Sequence, residues 1–347
     1  MKMQDMLLTE NATVKQAVEI LENLRCRNVY VVKGKKILAA VSDGDIRRYT
    51  LREGNIQDNI SKVANYNPRV YNEFEKAKWT EDFESSERYS VPIVNMNDEI
   101  VGIVFRDGTI LRDYEKMRIP VVMMAGGKGV RLHPYTKILP KALIPVGDIP
   151  ISEHIINRFY AYGCDDFYLI VNHKRAMIQA YFESIEKAYR LHYIEEREAL
   201  GTGGGLSLLK GQITDDFVLT NCDILIDADY AAIYKMHQKK NNFITMVLSR
   251  YTQKVPYGVV EIDGENNYQG VKEKPEFSYL INTGVYIVNQ RVIEELPGGI
   301  EVDFPDIVER YRAAGEKIGC YIVSESAYMD MGQMEELEKM KEKLNVQ

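Results

Sequence analysis

The sequence predicts an α/β fold: a doubly wound, mostly parallel sheet over residues 120–347, preceded by a smaller α+β unit over residues 1–115. Three observations carry this. Val121–Ala125 is short, apolar and without alternation, so it reads as a fully buried strand, and it runs straight into Gly126, Gly127 and Gly129. Downstream, helical periodicity over Ile151–Tyr162 closes at Gly163, an apolar strand follows at Phe167–Val171, and a second helix covers about Ala176–Tyr189, a βαβα succession. The N-terminal third carries a β-β-α pattern that returns about 60 residues later in weaker form, and such half-units bury their faces only against each other.

The first of those half-units is legible in detail. Thr13 to Gln16 fits a capping box, and Ala17, Ile20, Leu21 and Leu24 follow at helical spacing. Val29–Val32 and Ile37–Val41 read as strands around a turn at Lys33–Lys36, and a second helix begins near Asp43–Asp45. The return comprises Val91–Val94, a turn at Asn95–Asp98, Ile100–Phe105 and the RDG of Arg106–Gly108.

Bulk properties narrow the class. A 347-residue chain with 45% hydrophobic and 27% charged residues suits two ordinary globular domains. No apolar run approaches the roughly 18 residues of a membrane span, and the opening MKMQDMLLTEN lacks a signal-peptide apolar stretch. Cys26, Cys164, Cys222 and Cys320 are far apart, without a CxxC pair or zinc-like histidine spacing. Buried free thiols in a reducing cytoplasm are the expectation.

The glycine turn carries the chemistry. Its backbone N–H groups can form an anion-binding concavity, and Arg131 and Lys141 bring cations toward the same mouth. Lys116 to Gly147 holds six Lys or Arg and no Asp or Glu in a chain of net charge −7. That favours a locally held anion over a nucleic-acid surface; a tight βα turn with a solvated basic face is the alternative. Glu198–Leu206, EALGTGGGL, is a second glycine-rich turn, with a helix expected from about Gly203. Asp223 falls at the carboxyl end of a strand read over Phe217–Cys222, where a buried carboxylate needs a cation, water or donors. Asp227 and Asp229 are its competitors, though Asp229 reads better as the N-cap of a helix Tyr230–Lys240. VKEKPEF, with Glu273 and Lys274, reads as a charged turn before Pro275, and a strand is expected at Val285–Asn289. His133, His154 and His173 fit helix-face or loop positions and no acid–base role.

GGKGVRL followed by PKALIPVGDIPI resembles the signature of the sugar-1-phosphate nucleotidyltransferases, usually GGxGTRL and PKPL(I/L)PV, with Val130 for the common Thr and Ala142 for the common Pro. It is not a Walker motif, since no GK[ST] follows the glycines. The resemblance implies a Rossmann-like, GT-A-like sheet and the reaction of an NTP with a sugar 1-phosphate to give an NDP-sugar and pyrophosphate. It implies nucleotide contacts from Ala125, Gly126, Gly127 and Gly129, and base contacts from Gly201, Thr202 and Gly203. Arg131, Lys141 and Lys274 would be the catalytic cations. Asp223 and Asp330 would hold Mg²⁺, the latter in YMDMGQ, where Tyr328 and Gln333 replace the family's Trp and Thr. Glu273, Asn282, Thr283 and Gly284 would meet the sugar, with Tyr257 and Gly258 close by. The glycine loop and the fusion to the N-terminal unit look most like guanylyltransferases acting on glucosamine or mannose 1-phosphates; uridylyl or thymidylyl transfer, or a catalytically silent nucleotide-binding subunit, are the alternatives.

The N-terminal repeat resembles a tandem pair of CBS domains. In that family a Ser or Thr three residues before an Asp holds the ribose of an adenine nucleotide. Ser42 and Asp45 match it, while the second copy keeps Asp107 but has Val104 at the hydroxyl position. The resemblance therefore implies either adenine-nucleotide sensing or a purely structural, oligomerising module, and a homo-oligomer is expected.

Overall fold

In the computed structural model, residues 2–72, 83, 86, 88–95, 98–112, 114–332, 338 and 340 are described. The chain divides into two compact units, Met1–Tyr114 and Glu115–Gln347.

The first unit is built from two similar sheets. Strand β1 (Leu7–Thr9) pairs in parallel with β2 (Asn28–Lys33), which forms an antiparallel hairpin with β3 (Lys36–Ser42). The second half repeats this: β4 (Tyr71–Asn72) lies parallel to β5 (Ser90–Val94), which is antiparallel to β6 (Ile100–Phe105). Both hairpins shift register at the corresponding place, Val31/Val32 and Ile93/Val94. Helix α1 (Val14–Leu24) starts on the expected capping box: Thr13 Oγ1 accepts from the Gln16 N–H and Gln16 Oε1 accepts from the Thr13 N–H at 2.9 Å. It buries Val14 and Ala17, with Ile20, Leu21 and Leu24 packed at the edge of the same core. Ile103 and Phe105 of the second half enter that core beside Val29, Val31 and Val41 of the first, so the halves share one interior.

The copies differ after their hairpins. The first continues into α2 (Asp43–Thr50), but the second turns into a short strand, β7 (Ile110–Arg112), where the β-β-α pattern predicts a helix. The cause is local. Asp107 Oδ1 accepts from the Thr109 N–H at 2.9 Å, Gly108 takes φ +84°, and Phe105 N–H closes on the Thr109 carbonyl at 2.8 Å, which makes a tight hairpin instead of an N-cap.

In the second unit, β8 (Val121–Met124) is an interior strand of a seven-stranded sheet. After two short paired strands, β9 (Pro145–Val146) and β10 (Ile149–Pro150), come α3 (Ile151–Ala161), β11 (Asp166–Val171), α4 (Arg175–Ser184), β12 (Arg190–Glu195) and β13 (Phe217–Asn221). Then follow β14 (Ile224–Ile226), α5 (Tyr230–Lys240), β15 (Ile244–Lys254), β16 (Val259–Ile262), β17 (Tyr268–Lys272) and β18 (Glu276–Val288). Helices α6 (Arg291–Glu295) and α7 (Phe304–Ala313) and strands β19 (Ile318–Val323) and β20 (Tyr328–Asp330) come last, and a one-turn helix, Tyr135–Ile138, lies between β8 and β9.

The sheet order is β12-β11-β8-β13-β18-β15-β19. All neighbours are parallel except that β18 runs antiparallel to both β13 and β15. The chain leaves β8 toward β11 and β12, then crosses back to place β13 on its other side. That reversal puts a topological switch point at the carboxyl end of β8, where open α/β sheets bind ligands. The core beneath is Val122, Leu219, Phe217, Tyr286 and Phe304 with their neighbours.

Several boundaries depart from the sequence reading. The helix expected to reach Tyr189 stops at Ser184, because the chain must enter β12 at Arg190, an edge strand whose half-buried residues carry a weak strand signal. The strand expected at Val285–Asn289 is the end of the 13-residue β18. Its first half pairs with β15 beyond the body of the sheet and, with the β16–β17 hairpin, forms an arm carrying exposed Tyr251, Tyr257, Val260, Tyr268 and Leu280. Asp229 caps α5 as expected, accepting from the Ala232 N–H at 3.0 Å. Among the described residues, no helix is long and apolar enough to cross a membrane.

The helix expected from Gly203 is a single 3-10 segment, Gly204–Leu209, wedged against the approach to α7. A Cβ on Gly204 would stand 2.2 Å from the Ile300 carbonyl oxygen, a backbone atom that cannot swing away. Gly204→Ala is therefore expected to destabilise the second unit by about 1–3 kcal/mol, the usual cost of overpacking, read as a lower urea midpoint at unchanged m-value.

Candidate functional site

The site is assembled at the carboxyl end of β8. The Ala125 N–H still bonds to the Ile170 carbonyl at 2.8 Å, so the loop begins from a fixed point. Gly129 takes φ +63°, and a Cβ there would press on Thr136 Cγ2 at 2.9 Å and Lys141 Cβ at 3.1 Å. Thr136 Oγ1 donates to the Gly129 carbonyl at 2.7 Å, locking the loop. Gly127, by contrast, has nothing within 4 Å of its Cβ position, leaving its backbone open to a ligand. Arg131 and Lys141 sit on short 3-10 turns, Val130–Leu132 and Lys141–Leu143.

These elements border a cleft of about 810 Å³. Its walls include Gly126, Gly127, Gly129, Arg131, Lys141, Gly201, Thr202, Asp223, Asn282, Thr283, Gly284 and Asp330, so twelve of the residues singled out by sequence converge. Ala125 lies buried beneath the loop and does not reach the wall. Gly203 is also off the wall. Its N–H donates to the Val302 carbonyl at 2.9 Å, and its missing side chain makes room for Ile307 and Phe304. Thr202 touches the cleft, but its N–H and hydroxyl both donate to Asp303 Oδ1, at 3.0 and 2.9 Å. Tyr257, Gly258, Glu273 and Lys274 gather at the base of the β16–β17 hairpin, where Gly258 abuts Glu273. They are exposed and stand apart from the cleft wall.

Two carboxylates meet in the cleft because of a short tertiary pairing. Strands β14 and β20 are antiparallel, with Ile224 opposite Asp330, and the Met331 N–H donates to the Asp223 carbonyl at 3.0 Å. Asp223 is 5% exposed, and Lys141 Nζ forms an ion pair with its carboxylate. Burial, and then the neighbouring Asp223 charge, raise the Asp330 carboxyl above the usual range; Lys141 and the Gly332 N–H oppose that shift. Tyr328 beside them is pushed up by burial and by both carboxylates. Asp227 is taken by Arg158 at 2.9 Å and Asp229 by its helix cap.

Among the described residues no cluster of three or more His, Cys, Asp or Glu could hold a metal by itself. Two hard oxygen donors at an open cleft, mutually repelling and incompletely neutralised, do fit Mg²⁺, which commonly takes one or two carboxylates and completes its shell from phosphate and water. Gln333 lies outside the described residues.

Other wall residues were not legible. Tyr286 and Phe304 pack with ring centroids 4.4 Å apart and planes tilted by 54° along one side, and Glu196 lies beside Leu200. In sequence, Tyr286 is one more strand residue and Phe304 one more helix-start apolar residue, so nothing marks them. His173 lines the cleft from a loop, while His154 Nε2 contacts the Val146 carbonyl at 2.8 Å.

In the first unit, Ser42 and Asp45 are occupied by each other. The Ser42 N–H and hydroxyl donate to Asp45 Oδ2 at 2.9 and 2.6 Å, the Asp45 N–H donates to Ser42 Oγ at 3.2 Å, and Arg48 pairs with the other carboxylate oxygen. This is a complete capping box on α2. Asp107 is spent on its turn, where the Thr109 N–H lowers its carboxyl.

A glycine loop at a switch point, cations beside it and a carboxylate pair are thus brought together in one cleft. The nucleotidyl transferase family model matches residues 120–347, and the chain belongs to that family. A CBS domain model matches residues 4–52. The chain is 31% identical over 225 residues to a mannose-1-phosphate guanylyltransferase of Mycobacterium tuberculosis, covering 63% of this chain and 62% of that protein. It is 31% identical to a UTP–glucose-1-phosphate uridylyltransferase of Synechocystis, covering 54% and 55%, and 34% identical to a bifunctional protein GlmU of Methanococcus aeolicus, covering 50% and 41%. The chain thus spans about two fifths to three fifths of the length of these curated relatives. The fold is shared with the crystal structure of HddC from Yersinia pseudotuberculosis complexed with GMP-PN, at TM-score 0.52 and 22% identity, over 65% of this chain and 99% of that one.

The raised Asp330 carboxyl has a thermodynamic sign. The folded state binds this proton more readily than the unfolded state. Its contribution is favourable below the ordinary Asp range near pH 3.9 and is lost as pH rises through the raised value. Asp330→Asn is therefore expected to raise the melting temperature of the metal-free protein at about pH 7.5. The same variant should lose the further rise that added Mg²⁺ gives the wild type, as read by differential scanning fluorimetry with and without EDTA.

Proposed function

We propose that the chain transfers a nucleotidyl group from an NTP, best read as GTP, to a sugar 1-phosphate of the glucosamine or mannose type, forming an NDP-sugar and pyrophosphate in the cytoplasm. The observation that carries this is the convergence of Asp223 and Asp330 on the glycine loop and Lys141 in one cleft. The guanylyl preference follows the names of the mannose-1-phosphate relatives, and uridylyl transfer follows the Synechocystis one.

A phosphate oxygen of the sugar phosphate attacks the α-phosphorus, and the bond from that phosphorus to the bridging oxygen breaks, releasing pyrophosphate. The nucleophile is already anionic near neutral pH, so no general base is needed. The work is positioning and charge neutralisation. The N–H groups of Gly126–Gly129 and Arg131 hold the β- and γ-phosphates, and Lys141 steadies the α-phosphate. Asp223 and Asp330 would hold Mg²⁺, which supplies Lewis-acid stabilisation of phosphate charge when bound. Lys141 pairs with Asp223, so it offsets the charge of that carboxylate. The reading assigns Asn282, Thr283, Gly284, Tyr257, Gly258 and Glu273 to the sugar and Lys274 to its phosphate. For the last four this requires the arm to close over the cleft.

For residues 1–115 we favour a structural, oligomerising role in a homo-oligomer, because Ser42 and Asp45 already satisfy each other.

Incubation with each of four NTPs, Mg²⁺ and a panel of sugar 1-phosphates should release pyrophosphate, fastest with GTP. Asp223→Ala should lower turnover on the order of 10²–10³-fold, as for loss of one key electrostatic group; wild-type turnover would remove the metal assignment. AMP should leave the melting temperature of the full chain unchanged. A stabilisation approaching the roughly 2.7 kcal/mol that a ligand gives at about 100 times its Kd would instead establish a sensing site.

A further inference from the structure

The glycine loop is held at both ends by one turn, Asn172–Lys174, which joins β11 to α4. At the near end the turn packs on Gly126. A Cβ there would stand 3.2 Å from Asn172 Cβ, and the His173 N–H reaches the Gly126 carbonyl at 3.5 Å. At the far end Lys174 acts through Thr136. Its Nζ donates to the Thr136 carbonyl at 2.9 Å, and Thr136 Oγ1 donates in turn to the Gly129 carbonyl at 2.7 Å.

The Thr136 carbonyl needs that donor. Thr136 is buried, and in the one-turn helix Tyr135–Ile138 its helical partner would be the residue four further on, Pro140, which has no N–H. Lys174 has left-handed backbone, φ +55° and ψ 31°, at the N-cap of α4, a place that glycine or asparagine fits more easily. It makes no side-chain cap there. Its side chain is engaged by Thr136 instead, and Lys174 stands off the cleft wall that Asn172 and His173 line.

Between the two held ends lie Gly127 and Lys128. Nothing stands within 4 Å of the Gly127 Cβ position, so no packing of its own fixes that residue. The direction of its N–H is set by where Gly126 and Gly129 are held. Donors aimed in advance at a polyphosphate need no reorganisation when it binds, and a small misplacement of them is costly.

We infer that Lys174 is a positioning residue for the polyphosphate: through Thr136 it fixes the Gly129 end of the loop, and so aims the loop N–H groups without touching the ligand. The inference rests on the reading that this loop holds the β- and γ-phosphates of an NTP, and it adds a residue to which that reading gives no part.

The test is calorimetric binding of inorganic pyrophosphate with Mg²⁺ to the full-length protein, which needs neither a choice of base nor turnover. Lys174→Met keeps the stem and removes the donor; Thr136→Val keeps the shape and removes the hydroxyl. Each should weaken pyrophosphate binding on the order of 10- to 100-fold, as for loss of one charge-assisted bond or a small displacement of the donors. The double variant should bind no more weakly than the weaker single one, because both cut the same chain of contacts. Lys174→Arg, which can still donate to the Thr136 carbonyl, should restore most of the binding. In turnover, Lys174→Met and Thr136→Val should raise KM for the NTP and leave KM for the sugar 1-phosphate unchanged, a split that general loosening of the fold would not give. Should Lys174→Met fail to fold, Lys174→Gln, with an uncharged donor on a shorter stem, takes its place and is read the same way. Wild-type pyrophosphate binding by Lys174→Met, losses that multiply in the double variant, or no recovery in Lys174→Arg overturns the inference, as does a wild type that binds no pyrophosphate. If the binding pattern holds while no sugar 1-phosphate is consumed with any NTP, the transferase reading fails and the role of Lys174 stands. If turnover proceeds and Lys174→Met binds pyrophosphate as the wild type does, the role of Lys174 falls and the transferase class stands.

Discussion

The structure of the second unit turns on two like charges being forced together. Asp223 lies between β13 and β14 and Asp330 closes β20, and the three-residue pairing of β14 with β20 makes them neighbours. Electrostatics alone would separate them. The backbone pairing holds them, Lys141 offsets one of them, and the charge that is left raises the Asp330 carboxyl. The glycine loop, Arg131 and the switch point are arranged around that pair.

The cleft is accordingly graded in polarity. Loop amides and cations line one part, the carboxylate pair another, and Tyr286 with Phe304 gives an aromatic side against which a ring can lie. Residues 200–204 and 302–304 are stitched together through Val302, Asp303 and Thr202, so the second glycine-rich wall is held by bonds to a segment remote in sequence.

How much of this was legible depends on how local the cause is. The Thr13 capping box, the Asp229 N-cap and the β8 strand running into glycines are each written within a few residues, and the structure has them as expected. The Asp223–Asp330 pair was reached through a motif, since no local signal reports the β14–β20 pairing. The missing helix after Asp107 was not expected because an Asp-Gly step stands in both copies, at Asp43-Gly44 and Asp107-Gly108, whereas Ser42 supplies a cap in the first and Val104 cannot in the second. The resemblance implied Gly203 as a base contact, a close approach of bare backbone to a ligand. The approach is real, but it is to Ile307 and Phe304. Glu196 carried no signal, since a glutamate in a charged stretch looks solvent-facing until the tertiary fold buries it.

In the first unit, Ile103 and Phe105 complete an interior begun by Val29, Val31 and Val41. Neither half is then a foldable fragment: a chain cut between the two hairpins would open that interior to water on both sides of the cut. The repeat should accordingly melt in one cooperative step, and a cavity made in either half is felt as lost stability by both.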